Sequence, residues 1–229
     1  MTITKAITLN GDGTLASILV SGTNAIIIAA AATDTVIIRN LSFEGINTGL
    51  AAVRVTSAGK VVVENCAIYG FFGNSIEVNS STATSVDVRN TSITGGVSGG
   101  VPVGQAVAFN GSGSPLNLSL RDVTIKGTTI GVHSVHGFTN VSHSIITGAT
   151  SAGVLSDVNS TISVSDSQIF NNGVGVQAQS GTTLRLTGNS IFDNGTNFIC
   201  NGGSILSANN NSVAGGGPSC GPTGTLTVQ

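Results

Sequence analysis

VIIRNLSFEG at residues 36–45, VVVENCAIYG at 61–70, VDVRNTSITG at 86–95 and LSLRDVTIKG at 118–127 are copies of one phrase. Each reads apolar, any, apolar, any, Asn or Asp, two residues, apolar, any, Gly. Downstream copies are looser but hold register. The polar corner recurs at Asn40, Asn65, Asn90, Asp122, His143, Asp166, Gly188 and Asn210, at intervals of 25, 25, 32, 21, 23, 22 and 22 residues. Three residues on stand Phe43, Ile68, Ile93, Ile125, Ile146, Ile169, Ile191 and Val213. Five residues on stand Gly45, Gly70, Gly95, Gly127, Gly148, Asn171, Asp193 and Gly215, all residue types that accept a left-handed backbone or favour turns.

Alternating apolar pairs flank the phrase on both sides. Before the corner come Val36 with Ile38, Val61 with Val63, Val86 with Val88, Leu118 with Leu120, Ile162 with Val164 and Leu184 with Leu186. After the glycine come Val53 with Val55, Ile76 with Val78, Val107 with Phe109, Val154 with Ser156, Val176 with Ala178 and Phe198 with Cys200. A period of two marks a strand with one buried face. Ile7 to Leu9, Ile18 to Val20 and Ile26 to Ile28 supply a first turn, and Leu226 to Val228 begins a last one. The repeat is too short for a propeller blade and has no helical periodicity, which leaves a parallel β-solenoid. The expectation is an all-β, right-handed parallel β-helix forming one domain over 1–229, with about nine coils of 21–32 residues and three short strands per coil. At a strand spacing of ~4.8 Å this is a rod of roughly 43 Å. Its interior ladders of Val, Ile and Leu form a narrow core with little room for rings. Stacked corner asparagines are expected to bond one another and to satisfy backbone groups that the bend removes from the sheets.

The composition agrees. Only 8% of residues are charged, net charge is −2, there is no Trp, and aromatic content is 4%. Eight Lys and Arg against ten acids leave no basic stripe for a phosphate backbone, so nucleic-acid binding is excluded. The longest strictly apolar run, 25–32, is far below the ~18 residues of a membrane span. Met1 to Gly11 passes directly into β alternation without the pattern of a signal peptide. Cys66, Cys200 and Cys220 lack metal-site spacing. Cys200 and Cys220, about one turn apart, are placed to stack as thiols or as a disulfide, and Cys66 is expected to pack as a small hydrophobe.

The sequence SIEV at 75–78 followed by VDVRNTSITG, and GVLS at 153–156 followed by ISVSDSQIFNN, resembles the right-handed parallel β-helix superfamily typified by pectate lyases. The likeness is to its bacterial repeat proteins of unassigned function and spans essentially the whole chain. It implies an export signal and an N-terminal cap in relatives, and hence a trimmed chain or end-to-end association here. It also implies a substrate groove along the strand that follows the glycine.

The outward column of that strand reads Ile27, Arg54, Glu77, Ala108, His133, Leu155, Gln177 and Ile199, with Asn79, Asn110 and Asp157 just beyond it. Only Arg54, Glu77 and His133 are suited to proton chemistry, and they are the catalytic candidates. Arg54 and Glu77 read equally as a surface ion pair. His133 and His136 read as exposed loop-edge residues. Sugar hydrolysis needs two flanking carboxyls, and lyase chemistry needs a base with a cation, commonly calcium among carboxylates. This column holds one acid, so no metal site and no cofactor are expected, calcium entering only with a lyase. The long interval places an insertion, GGVSGGVPVGQ, at 95–105, expected to overhang Glu77 and Ala108. A second charged group, Arg39, Glu64, Asp87, Arg89 and Arg121, lies before the corner. It reads as a salt-bridge ladder, or as a site for an anionic sugar or phosphate with Arg89 and Arg121 as clamps.

The favoured functional expectation is a secreted or cell-surface scaffold that binds a glycan or another surface polymer without catalysis. The alternative is a polysaccharide lyase or glycoside hydrolase acting on acidic polysaccharide. Ice binding needs regular outward threonine ladders, and the outward columns are mixed.

Overall fold

The computed structural model describes residues 1–226, and its regular structure is entirely strand. Three sheets wind as a parallel β-helix of about nine turns. Sheet 1 stacks Asn24–Ala29, Ala51–Ser57, Asn74–Val78, Gln105–Phe109, Val174–Gln179 and Thr196–Asn201 together with the first halves of Ile130–Ser142 and Ala152–Ser165. Sheet 2 stacks Ile7–Asn10, Thr35–Arg39, Lys60–Glu64, Thr84–Arg89, Leu116–Arg121, the second halves of those two long strands, Thr183–Thr187 and Ser204–Ser207. Sheet 3 holds the short strands from Ser17–Leu19 to Ser212–Ala214. Gly224–Thr225 stacks below Ser204–Ser207, and the beginning of a last turn placed at Leu226 to Val228 extends outside the described residues.

Register follows the columns of the sequence. Val53, Ile76, Val107, Val132, Val154, Val176 and Phe198 pair rung by rung in sheet 1, and all point inward at 5% exposure or less. Because each turn lies directly on the next, every apolar side chain is covered by its counterparts above and below. The core is wider than the ladders suggest. Phe43, Phe71 and Phe109 are fully buried, Phe43 between Ile18 and Ile68 on the adjacent rungs.

Both corners use left-handed backbone. Asn40, Asn65, Asn90, Asp122, His143, Asp166 and Gly188 have φ between 48° and 65°. In the last turn the left-handed residue is Asn209, one place before the expected Asn210. Asn and Asp tolerate this region because the short polar side chain bonds locally. At the other corner Gly70, Gly127, Gly148, Asn171, Asp193 and Gly215 are left-handed, whereas Gly45 and Gly95 are not. Those two turns carry extra residues, and the positive φ moves to Ile46 and Asn47 in one and to Gly99 and Gly100 in the other.

The corner column serves the backbone as expected at Gly188, whose N–H donates to Asn210 Oδ1 at 2.8 Å, and the column after it serves the backbone in several other turns. On the corner column itself, Asn65 Nδ2 donates to Asn40 Oδ1 at 2.6 Å and Asn40 Nδ2 to Asn10 Oδ1 at 2.8 Å, on the exposed side. One residue further, inside the turn, Val123 N–H donates to Ser144 Oγ, Ser144 N–H to Ser167 Oγ, Ser167 N–H to Asn189 Oδ1 and Asn189 N–H to Asn211 Oδ1, at 2.8–3.1 Å. A polar atom there faces backbone rather than water, so it fulfils the pairing that buried amides require.

Candidate functional site

On sheet 1 the outward column is paired as Ile27, Arg54, Glu77, Ala108, His133, Leu155, Gln177 and Ile199, one residue per rung. Arg54 Nε lies 3.2 Å from Glu77 Oε2. The next rung is Ala108, which is fully covered. Beyond it His133 Nδ1 sits 3.1 Å from Gln105 Oε1, and its Nε2 lies 3.5 Å from Asp157 Oδ2 without a hydrogen bond. Gln105 occupies one rung and Asp157 the opposite one, so the imidazole is held from both sides along the stack. The first of these neighbours is the last residue of the insertion at 95–105.

The histidines differ from the loop-edge expectation. His133 stands in mid-strand with a side chain only 15% exposed, and His136 is half-buried with Nδ1 enclosed and without a hydrogen-bond partner among the described residues. Strand Ile130–Ser142 runs unbroken through the bend between sheets 1 and 2 and carries both into it. Burial pushes His133 below its ordinary value of 6.5, outweighing the upward pull of Asp157. A folded pKa below the unfolded one means that the unfolded chain binds more protons between the two values. The contribution to stability is therefore complete above about pH 6.5 and declines as pH falls through that value. His133→Gln, which keeps an amide against Gln105 and removes the titration, is expected to flatten the fall in melting temperature between pH 7 and pH 5. An unchanged pH profile would show that His133 does not contribute to it.

The insertion is a β-hairpin. Ser92–Ser98 turns through Gly99 and Gly100, both left-handed as a two-residue hairpin turn requires, into Val101–Val103. Among the described residues it makes no hydrogen bond to Glu77, one of the two residues, with Ala108, that it was expected to overhang. Val97 N–H donates to Asn47 Oδ1 at 2.9 Å, and Pro102 O accepts from Thr129 Oγ1 at 3.4 Å.

On sheet 2 the second charged group is largely neutralised within itself. Arg89 Nε is 3.1 Å from Glu64 Oε1, and Arg89 Nη1 is 3.8 Å from Asp87 Oδ2. Arg121 leans back to its chain neighbour Asp122 at 3.8 Å, and Arg39 makes no ion pair among the described residues. Arg89 and Arg121 stand in register on adjacent strands, with the Arg89 guanidinium occupied by carboxylates. Cys66 is buried, and burial raises its thiol pKa, so it stays protonated and inert. Cys200 and Cys220 form a disulfide.

A separate concavity lies at the Asn corner, with Asp12 and Asp122 among its lining residues. A groove of about 720 Å³ follows the Asn corner across four turns, between the overhanging segment 11–16 and the third sheet. Asn40, Asn65 and Asn90 line it with hydroxyls of Ser42 and Ser92, and Tyr69, 39% exposed, stands in its wall. The sequence carried this groove only implicitly: the same corner residues were legible, but not that segment 11–16 encloses them.

No protein-family model matches the sequence, and no curated protein matches it. Among solved structures, the A-module of the mannuronan C-5 epimerase AlgE4 of Azotobacter vinelandii superimposes with a TM-score of 0.52 at 13% identity. The superposition covers 100% of this chain and 85% of that one. At this identity the likeness establishes the parallel β-helix fold and nothing about residues.

Proposed function

We propose that this chain is an exported or surface-displayed β-helix that binds a glycan or a related surface polymer in the Asn-corner groove, without chemistry. The observation that carries this reading is the groove's lining, amides and hydroxyls at successive strand spacings beside one tyrosine ring. Such groups donate and accept together, as sugar hydroxyls require, and a groove open along the stack accommodates a chain. The ionic groups that catalysis needs are meanwhile occupied with each other, as Arg54 is with Glu77 and Arg89 with Glu64. The disulfide fits an oxidising compartment, in keeping with export.

The test is binding to a panel of polysaccharides with release of unsaturated or reducing ends measured in parallel. Binding without turnover is expected. Asn65→Gly, which deletes the amide while tolerating the left-handed corner, is expected to weaken it about tenfold, a loss of about 1.4 kcal/mol. Unimpaired binding by this variant sinks the groove assignment.

One observation favours a second reading, a polysaccharide lyase. His133, held between Gln105 and Asp157 and biased toward its neutral form, has the character of a proton acceptor on the column where Arg54 and Glu77 also lie. The structural neighbour is itself named as an enzyme acting on mannuronan. Hydrolysis is disfavoured, because Glu77 and Asp157 stand three strands apart, about 14 Å, beyond the spans of the two-carboxylate mechanisms. Turnover abolished by Glu77→Gln would replace the non-catalytic reading with this one.

A further inference from the structure

On sheet 2 the first outward position of each rung reads Thr35, Lys60, Ser85, Asn117, Phe138, Thr161, Thr183 and Ser204. Phe138 is the single aromatic residue in an otherwise polar column, and it is 62% exposed. Three of the other phenylalanines, Phe43, Phe71 and Phe109, are fully buried. Beside Phe138 runs the second outward column, with Ser119, Asn140 and Ser163 on consecutive rungs. Between the two columns lies a depression of about 260 Å³. Its lining carries no formal charge. The side chains of Asn117, Asn140, Ser119 and Ser163 make no hydrogen bond to the protein among the described residues, in contrast to inward groups such as Ser144, Ser167, Asn172 and Asn189, which are paired.

We propose that this depression binds a neutral pyranose unit of a polysaccharide, its C–H face laid on the Phe138 ring and its hydroxyls on Asn117, Asn140 and Ser119. A sugar ring has one face of weakly polarised C–H bonds, which suits the negative face of an aromatic ring, and a rim of groups that both donate and accept. Amide and hydroxyl side chains match that rim in both roles. A phosphate or a uronate needs a cation in the lining, and Arg185, one rung beyond Ser163, stands outside it. The proposal rests on the glycan-binding reading and extends it to a second site, on the flat of sheet 2 rather than in the corner groove.

The experiment is an NMR titration of the full chain with oligosaccharides of glucose, mannose and xylose, and with an oligouronate. The readouts are the Phe138 ring and the side-chain amides of Asn117 and Asn140, followed beside those of Asn65. A neutral oligosaccharide is expected to shift the Phe138 group, and the oligouronate is not. Phe138→Ala is expected to weaken this binding about tenfold, and Phe138→Trp to retain it. Because the side chain is mostly exposed, the alanine variant is expected to keep the melting temperature, which separates lost contact from lost fold. Equal affinity in Phe138→Ala overturns the site. Shifts confined to Asn65 and its neighbours overturn it while leaving the groove reading intact, and silence at both places removes both.

Discussion

Replacing Asn172 by leucine is expected to lower stability by about 2–6 kcal/mol, even though the position is 3% exposed and lies in an apolar solenoid. Its Oδ1 accepts the Ala149 N–H at 2.8 Å, and its Nδ2 donates both to Ile146 O at 3.1 Å and to Asn194 Oδ1 at 3.0 Å. Leucine has the same number and branching of side-chain heavy atoms but leaves the Ala149 N–H and the Ile146 carbonyl without this buried partner, at about 1–3 kcal/mol each, while Asn194 Oδ1 keeps the backbone N–H of residue 172 at 3.0 Å. The backbone around the residue is built for the amide. A methyl group on Gly153 would come within 3.1 Å of Asn172 Nδ2, and one on Gly175 within 2.9 Å of Asn194 Nδ2. Elsewhere this column holds Ala25, Ala52, Ser75 and Ala106, where no such amide competes for the space. Chemical denaturation provides the measurement. A leucine variant as stable as the parent would mean that the amide is dispensable and that the corner relaxes to satisfy its own backbone.

That pairing of Asn172 with Gly153 marks how far the sequence can be read. The fold was legible because a solenoid writes its period into every turn. Val53, Ile76 and Val107 recur in one column because each must cover the last, and the register derived from alternation is the register observed. Corner residues were legible for the same reason, since a left-handed backbone restricts the residue type each time. Features that depend on two columns meeting in space were not. The backbone-satisfying ladder lies one residue past the corner, where Thr91, Ser144, Ser167, Asn189 and Asn211 look unrelated until their oxygens are seen on the same side. His133 was read as a loop-edge residue because the spacing gives no sign that its strand continues unbroken around the bend. The Asn-corner groove depends on where segment 11–16 lies, and a segment outside the repeat carries no periodic signal.

Removing the disulfide by Cys200→Ala with Cys220→Ala is expected to cost about 3 kcal/mol, the loop-closure value for a separation of 20 residues. The effect is expected to be local. In a stacked repeat each turn contacts only its neighbours, so stability is lost from the turn that is loosened and spreads by one interface at a time. The chain after Ser212 has little else to hold it. Val213 is 44% exposed, and the following stretch is rich in glycine and contributes almost no buried apolar surface. Its remaining attachments are hydrogen bonds, among them Ser219 N–H to Phe198 O at 3.0 Å, Thr223 N–H to Ile205 O at 2.7 Å, Asn197 Nδ2 to Gly216 O at 2.9 Å and Ile205 N–H to Thr223 Oγ1 at 2.9 Å. Once the cross-link is gone, these bonds must offset the whole ordering entropy of the segment, about 1–2 kcal/mol per residue. Phe198 and Ile205, which that segment covers, should then open. Hydrogen exchange of the double variant is therefore expected to show lost protection from residue 196 onward, with the amides of Val53, Ile76 and Val107 as slow as in the parent. Uniform acceleration along the chain would instead indicate that the turns unfold as one cooperative unit, and unchanged protection at Phe198 that the cross-link is redundant.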